Sequence, residues 1–451
     1  MKHKKGLIIF TTLFSVAVFL SIFLMMWFWG DEYEDFDAST FREEVTIPGL
    51  KDGACPQGLA TVKHKLYGKD GEPVYVPDAD GNPTDHAREQ EYYFVSAYFK
   101  NKPSRIYVTG RESGYLGYVT LARDGKSFYG HVGGIATNGT VFWVGSESTV
   151  YCLKRTNNDY DHMADEIIKL SLTNSVLELK SDTSSSFEIN GSASFISYYK
   201  ASSSTSSSTE RLYVGEFYRA GNYETPANHH VTLPDGSVNR AFMYEYNVSS
   251  STKYGLSMVT SFSEKDVSGE PENDKYSNIV PKVQNIYSIP DRIQGVARVS
   301  GSSDSDKGDT LVLSQSYGLS NSEILLYNFK TVSETANRVM YTSIDSKGFE
   351  YPDVMFGKDE NGKWLRHYYD TGVNVYYVYG NSSSKSVDGN GNKIYPSFMR
   401  SYSLPCMSEG LAVSSDDRVN ILFESSAKKY KTFVRQSLDK VYSFRPSRSG
   451  R

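Results

Sequence analysis

The chain has 451 residues, enough to bury a sizeable core, and is rich in aromatic strand formers, with 35 Tyr and 23 Phe. Its net charge of -5 gives no basic footprint for nucleic acid. Three cysteines exclude a disulfide framework, and no Cys/His spacing suggests zinc.

Residues 1–5 form a basic tail, Met1-Lys2-His3-Lys4-Lys5, followed by the stretch 6–30, apolar apart from Thr11, Thr12, Ser15 and Ser21. About 20 apolar residues span a bilayer. The bulky Met25-Met26-Trp27-Phe28-Trp29 stands where signal-peptide cleavage needs small residues, so 6–30 reads as an uncleaved transmembrane anchor. Positive charge stays in the cytoplasm, which puts the N-terminus inside and the body outside. Residues 31–42 read as an acidic tether, and 43–451 as an extracytoplasmic domain.

The body shows no sustained helical period and carries an internal repeat. Gln57-Gly58-Leu59-Ala60, Gly133-Gly134-Ile135-Ala136, Gln294-Gly295-Val296-Ala297 and Glu409-Gly410-Leu411-Ala412 share a Gly-apolar-Ala core. Most lead into an apolar strand that turns small and polar, such as Val419-Asn420-Ile421-Leu422-Phe423-Glu424. All-β repeats of several dozen residues predict a β-propeller. Ala193 to Tyr198 reads as the inner strand of a degenerate third repeat, followed by second and third strands at 212–218 and 241–246. Ser104 to Tyr107, Ser148 to Tyr151, Ser322 to Leu325 and Asp439 to Tyr442 read as third strands of their blades. Leu116 to Leu121 and Glu166 to Leu172 read as fourth strands. The count favours five blades. The long stretch from Gly295 to Gly410 leaves six open.

Val45-Thr46-Ile47-Pro48, Tyr287-Ser288-Ile289-Pro290 and Tyr402-Ser403-Leu404-Pro405 each precede a Gly-apolar-Ala unit. Pro suits the end of a strand, so each reads as an outer strand handing over to the next blade. The first has no blade of its own, and the last repeat lacks a fourth strand. The N-terminal strand is therefore expected to complete the last blade and close the ring, removing two free edges.

In a propeller the connections from strand four to the next strand one, and from strand two to strand three, emerge on one face. Gln57, His131, Arg292, Gln294 and Glu409 fall in the first set; Glu147, Glu216, Gln315, Tyr317 and Glu424 fall in the second. These ten residues are expected to ring one mouth of the central channel. Repetition at equivalent positions also fits a structural role for Gln57, Gln294 and Glu409. Glu147, Glu216 and Glu424 are candidates to hold a divalent cation in the channel, because hard cations take oxygen ligands from several loops. Cys55 and Cys406 sit just before the first and last repeat units and are candidates for a disulfide; two free thiols are the alternative. No nucleophile elbow, phosphate loop or metalloprotease motif is present.

The segments His131 to Ala136, Gln294-Gly295-Val296 with Leu313 to Gly318, and Ser408 to Leu411 with Leu422 to Tyr430 and Leu438 to Tyr442, together resemble a group of secreted or membrane-anchored bacterial β-propeller proteins. The resemblance implies the fold and an extracytoplasmic location, and no reaction. The expected function is binding or scaffolding of a glycan, wall polymer or protein at the cell surface, with no nucleic-acid partner. The alternative is an extracytoplasmic hydrolase, metal-dependent and lactonase- or esterase-like, or glycan-cleaving, built on the Glu-rich mouth.

Overall fold

The computed structural model describes residues 36–155, 162–182, 185–189, 191–201, 210–258, 281–301, 308–334, 373–380 and 397–446. It also describes Ser21 and short strand pieces at 339–340, 343–344, 350–351, 355–358 and 364–366. The expected basic tail, the rest of the anchor at 6–30 and the first half of the tether lie outside these residues. Among the described residues no helix is long and apolar enough to cross a membrane.

Five antiparallel sheets form the arrangement of a five-blade propeller. Blade 1 runs Cys55–Lys65, Glu89–Tyr98, Arg105–Gly110 and Gly114–Arg123 from the axis outward. Blade 2 runs Gly134–Thr137, Val141–Ser146, Thr149–Lys154 and Ser186–Glu188. Blade 3 runs Phe195–Lys200, Glu210–Gly215, Ala241–Asn247 and Val283–Ile289. Blade 4 runs Ile293–Val299, Thr310–Gln315, Ser322–Asn328 and Phe398–Leu404. Blade 5 runs Ser408–Val413, Val419–Phe423 and Lys440–Phe444, and its outer strand is Arg42–Thr46 from the N-terminus.

The long insertion between the third and fourth strands of blade 4 forms no sixth blade among the described residues. Its strand Asn374–Tyr377 adds to blade 3 instead, parallel to Val283–Ile289. Val176–Leu179 extends blade 1 in the same way, parallel to Gly114–Arg123.

Each blade is covered on both faces by its neighbours, so its middle strands are apolar without alternation. Val141–Ser146 is buried at every position. One core cluster lies between blades 1 and 2, another between 2 and 3, a third between 3 and 4. A fourth joins blade 5 to both blade 4 and blade 1, through residues such as Ala297, Leu404, Val45, Phe423 and Tyr93. Burying each such side chain stabilises the fold by about 1.5–3 kcal/mol.

The repeated glycines allow close approach of the inner strands. A Cβ on Gly410 would lie 2.7 Å from Leu59 N and 3.0 Å from Gln57 O, the backbone of blade 1. Gly58 stands in the same relation to Ile135 of blade 2, and Gly295 to Leu411 of blade 5. Below the mouth the axis is lined mainly by Leu59, Ala60, Ile135, Ala136, Leu411 and Ala412.

The stretch Glu166 to Leu172, expected as a strand, belongs to helix α1, Met163–Leu172. Met163, Ala164, Ile167, Ile168 and Ser171 are buried, which is one face of a helix and not one face of a strand. Asp165 accepts the His162 backbone N–H at 3.1 Å, closing the first turn. The same carboxylate holds the helix against blade 1. Its Oδ1 lies 2.7 Å from His64 Nε2 and also accepts the Tyr67 hydroxyl.

The N-terminal strand is held by a buried charge cluster as well as by its ladder. The Glu44 side chain is 3% exposed. It meets Arg111 Nη2 of blade 1 at 3.2 Å and Arg418 Nε of blade 5 at 3.8 Å. It also accepts from the Tyr93 hydroxyl of blade 1 at 3.2 Å and from the Ser443 hydroxyl. Phe36 and Phe41, at the end of the expected tether, pack on blade 5, with Phe36 5.0 Å from Tyr442 and Phe41 5.3 Å from Phe444 between ring centroids.

Candidate functional site

The mouth residues divide into separate groups. Gln57 and Gln294 are the extra residues of β-bulges at the start of their inner strands, and a bulge falls at Glu409-Gly410 too. A bulge turns a side chain away from the ladder and re-aims it. Gln57 spends its amide on its own backbone, donating to Pro56 O at 2.9 Å. The repeated Gln or Glu thus marks a structural device in each of these blades, and only in blade 5 does it fall beside a second carboxyl.

At the seam of blades 3 and 4 the expected mouth residues are engaged by their neighbours. Gln315 donates to Asp291 O at 2.7 Å. Tyr317 stacks on Phe217 at 6.1 Å, and the Arg219 guanidinium lies 4.1 Å from the centroid of its ring. Arg292 is exposed with a left-handed backbone, φ 65°, and its N–H donates to Tyr218 O at 3.0 Å.

The three acidic residues offered for a cation occupy unlike surroundings. Glu147 is exposed at a turn with φ 53°. Glu216 is fully buried. Its carboxylate lies 2.9 Å from His229 Nδ1 and accepts the Phe242 backbone N–H at 2.8 Å. Both its oxygens are used inside blade 3. Glu424 lies at the seam of blades 1 and 5. No group of three His, Cys, Asp or Glu side chains among the described residues forms a metal-ligand set. The described residues that line the axis below the mouth include no carboxylate. The channel cation site expected from the sequence is therefore not assembled by these residues.

The proposed Cys55–Cys406 bridge is likewise not formed. Cys55, Cys152 and Cys406 are free and buried. Burial pushes the Cys55 and Cys406 thiols up to about 11. Cys55 faces Glu424 and Tyr98, whereas Cys406 packs with Met407 and Val434.

What the fold does assemble is a cluster at the seam of blades 1 and 5. Cys55 and Tyr98 are cross-strand partners at the mouth end of blade 1. Glu409 stands on the first strand of blade 5 and Glu424 directly follows the second, only 5% and 6% exposed. Lys429 donates to the Tyr98 hydroxyl at 3.1 Å. His131, exposed on one side, lays its ring 3.9 Å from that of Tyr98.

The electrostatics of this cluster are those of a proton-holding site. Burial pushes the Glu424 carboxyl up to about 7, against the opposing pull of Lys429 and of hydrogen bonds from Cys55 and Tyr98. Burial also pushes Glu409 well above the usual carboxyl range, and the charge on Glu424 pushes it further. The two carboxyls therefore titrate as a coupled pair, and both hold protons above the usual carboxyl range. Partial burial and the Lys429 charge push His131 down. Glu424 Oε1 is buried without a hydrogen-bond partner, an arrangement that favours any incoming donor.

Sequence reasoning placed Glu409, Glu424 and His131 at this mouth. It missed Tyr98 and Lys429. The pairing of a mouth-end Tyr with Cys55 across a hairpin was the available signal for the first, and the Lys-Lys-Tyr run after Glu424 for the second. The chain matches no known protein family, and no curated protein is similar to it.

Proposed function

We propose that the protein is a cell-surface binding or scaffolding module of a bacterial envelope, whose ring is closed by the N-terminal strand and whose ligand, a glycan, wall polymer or protein, docks at the seam of blades 1 and 5. The observation that carries this reading is Glu424: a nearly buried carboxyl with an unpartnered oxygen, beneath a rim of exposed His131 and Lys429 and the Tyr98 ring. Propellers host many functions, so the reading rests on this site and not on the fold.

Display outside the membrane is part of the proposal. It is supported by the apolar run 6–30 behind a basic tail. Protease treatment of intact cells should digest the propeller, and protection of the body would overturn this orientation.

The binding test is a screen of the full chain against glycans and envelope polymers, repeated with Glu424→Gln. A hydrogen bond to a charged group contributes about 1.5–3 kcal/mol, so the variant should bind its ligand at least about tenfold more weakly with its fold intact. Equal binding would remove the seam from consideration.

One observation favours a second reading as a hydrolase. Two neighbouring carboxyls that both hold protons above the usual carboxyl range offer groups for general acid–base work. Glu409 would donate the proton and Glu424 accept it. Release of p-nitrophenol from glycoside or ester substrates, lost in both Glu409→Gln and Glu424→Gln, would establish this reading over simple binding.

A further inference from the structure

The loop that follows Glu424 differs in composition from the rest of the chain. The protein as a whole carries a net charge of -5, yet residues 425–438 contain Lys428, Lys429, Lys431 and Arg435 and no carboxylate. All four cationic residues are exposed. Among them Phe433 is 57% exposed, and Tyr430 lies half-buried with Lys429 Nζ 4.5 Å from its ring centroid.

A run of charge alone is usually a solvated surface. This loop is instead fixed in shape. Val434 is buried with Cys406 and Met407. Leu438 N donates to Ser425 Oγ at 3.1 Å, and the Ser426 and Ser437 hydroxyls meet at 2.7 Å. Backbone turns close from Tyr430 N to Ala427 O at 2.8 Å and from Phe433 N to Tyr430 O at 2.7 Å. The backbone that carries the cations and Phe433 is thus set before a partner arrives, which lowers the ordering cost of binding. Across the seam, the Tyr98 and His131 rings lie 3.9 Å apart at a tilt of 34°.

We propose that residues 427–435, with Tyr98 and His131, bind an anionic polysaccharide, a sugar chain carrying carboxylate or phosphate groups. This rests on the envelope-binding reading and names its ligand class. Lysine and arginine meet the acidic groups, and the aromatic faces meet the apolar faces of the sugar rings. An anionic bilayer fits less well. Val434 and Leu438 turn inward, leaving Phe433 as the exposed apolar group of the loop, whereas a lipid-seated element needs a broad apolar face.

The test uses the full chain in non-ionic detergent, with binding measured to alginate as a polyuronate, to a phosphate-bearing mannan, to neutral dextran and to phosphatidylglycerol vesicles. One or both anionic polymers should bind and dextran should not. Which of the two binds identifies the acidic group. Affinity should fall steeply as salt screens the contacts. Lys428→Glu with Lys431→Glu should weaken binding about tenfold or more, and Phe433→Ala should weaken it with the charge unchanged. Lys428→Ser with Lys431→Ser replaces the reversal if its melting temperature drops. Equal binding of dextran, retention by vesicles in place of polymers, or full affinity in the charge variants would each overturn the proposal. A neutral glycan lost in Glu424→Gln but untouched by charge reversal would overturn it and leave the seam reading standing. Absence of binding to every polymer, glycan and vesicle would overturn both.

Discussion

Glu44 of the N-terminal strand lies 3.2 Å from the Arg111 guanidinium of blade 1, although its backbone belongs to blade 5. One buried carboxylate thereby links the first and last blades, in addition to the ladder that completes the last sheet. Removing one partner from a buried charge cluster costs about 3–5 kcal/mol, because the remaining charges lose their compensation. Glu44→Ala should lower unfolding stability by about that amount in denaturant titrations. A loss near that of an exposed ion pair, under about 1 kcal/mol, would mean that the ladder alone holds the strand.

The Glu424 carboxyl has a distinct signature in stability against pH. Its folded value is raised to about 7 from an ordinary 4.5. The folded state therefore binds more protons than the unfolded chain between these values. The associated stability is fully present below about 4.5 and is lost as pH rises through about 7. The shift corresponds to a change on the order of 3 kcal/mol across that window. Glu424→Gln should flatten the fall between pH 5 and 8 in urea titrations. An unchanged slope would place the proton elsewhere.

The glycine repeat predicts a steric effect that can be separated from ordinary loss of flexibility. A Cβ at Gly410 would strike the blade 1 backbone, whereas one at Gly380 would meet nothing within 4 Å. Gly410→Ala should destabilise by about 1–3 kcal/mol or more, as overpacking does. Gly380→Ala should stay within about 0.5 kcal/mol of the parent. Similar effects at both positions would show that the inner strands can move apart to accommodate a methyl group.

These features differ in how far the sequence foretold them. The N-terminal strand was legible because Val45-Thr46-Ile47-Pro48 repeats the motif at Tyr402 to Pro405 and has no blade of its own. The count of five was favoured by the repeat units. The strand Asn374–Tyr377 could be taken for a further blade because adding to the edge of blade 3 needs no signature in its own residues. Helix α1 was missed because Leu170-Ser171-Leu172 alternates like a strand, while its buried stripe begins earlier, at Met163 and Ala164. At the site, one strand of blade 5 and the residue that follows its neighbour were enough to bring Glu409 and Glu424 together. Their surroundings come from Cys55 and Tyr98, more than 300 positions away, and burial at this seam makes the two carboxyls hold protons. The cation expected from Glu147, Glu216 and Glu424 failed for a related reason: equivalent positions in a repeat do not receive equivalent neighbours, and His229 claims Glu216.

Asp165 provides the opposite pH dependence and a way to separate the two. Burial alone would raise its carboxyl, but hydrogen bonds from His64 and Tyr67 overcome that and hold it at about 2, below the ordinary 3.8. The folded state then binds fewer protons than the unfolded chain in that range. Its contribution is present above about 3.8 and is lost as pH falls through about 2. Asp165→Asn should therefore destabilise the protein at neutral pH, by removing the group that joins helix α1 to His64 and Tyr67, and should reduce acid sensitivity below pH 4. Glu424→Gln should leave that acid limb alone and change only the limb above pH 5. Urea titrations of the two variants at pH 3, 5 and 8 test both assignments. If Asp165→Asn altered the limb above pH 5 as strongly as Glu424→Gln does, the helix and the seam would be one titrating unit, and the separation of the site from the opposite end of the inner strand Cys55–Lys65 would be wrong.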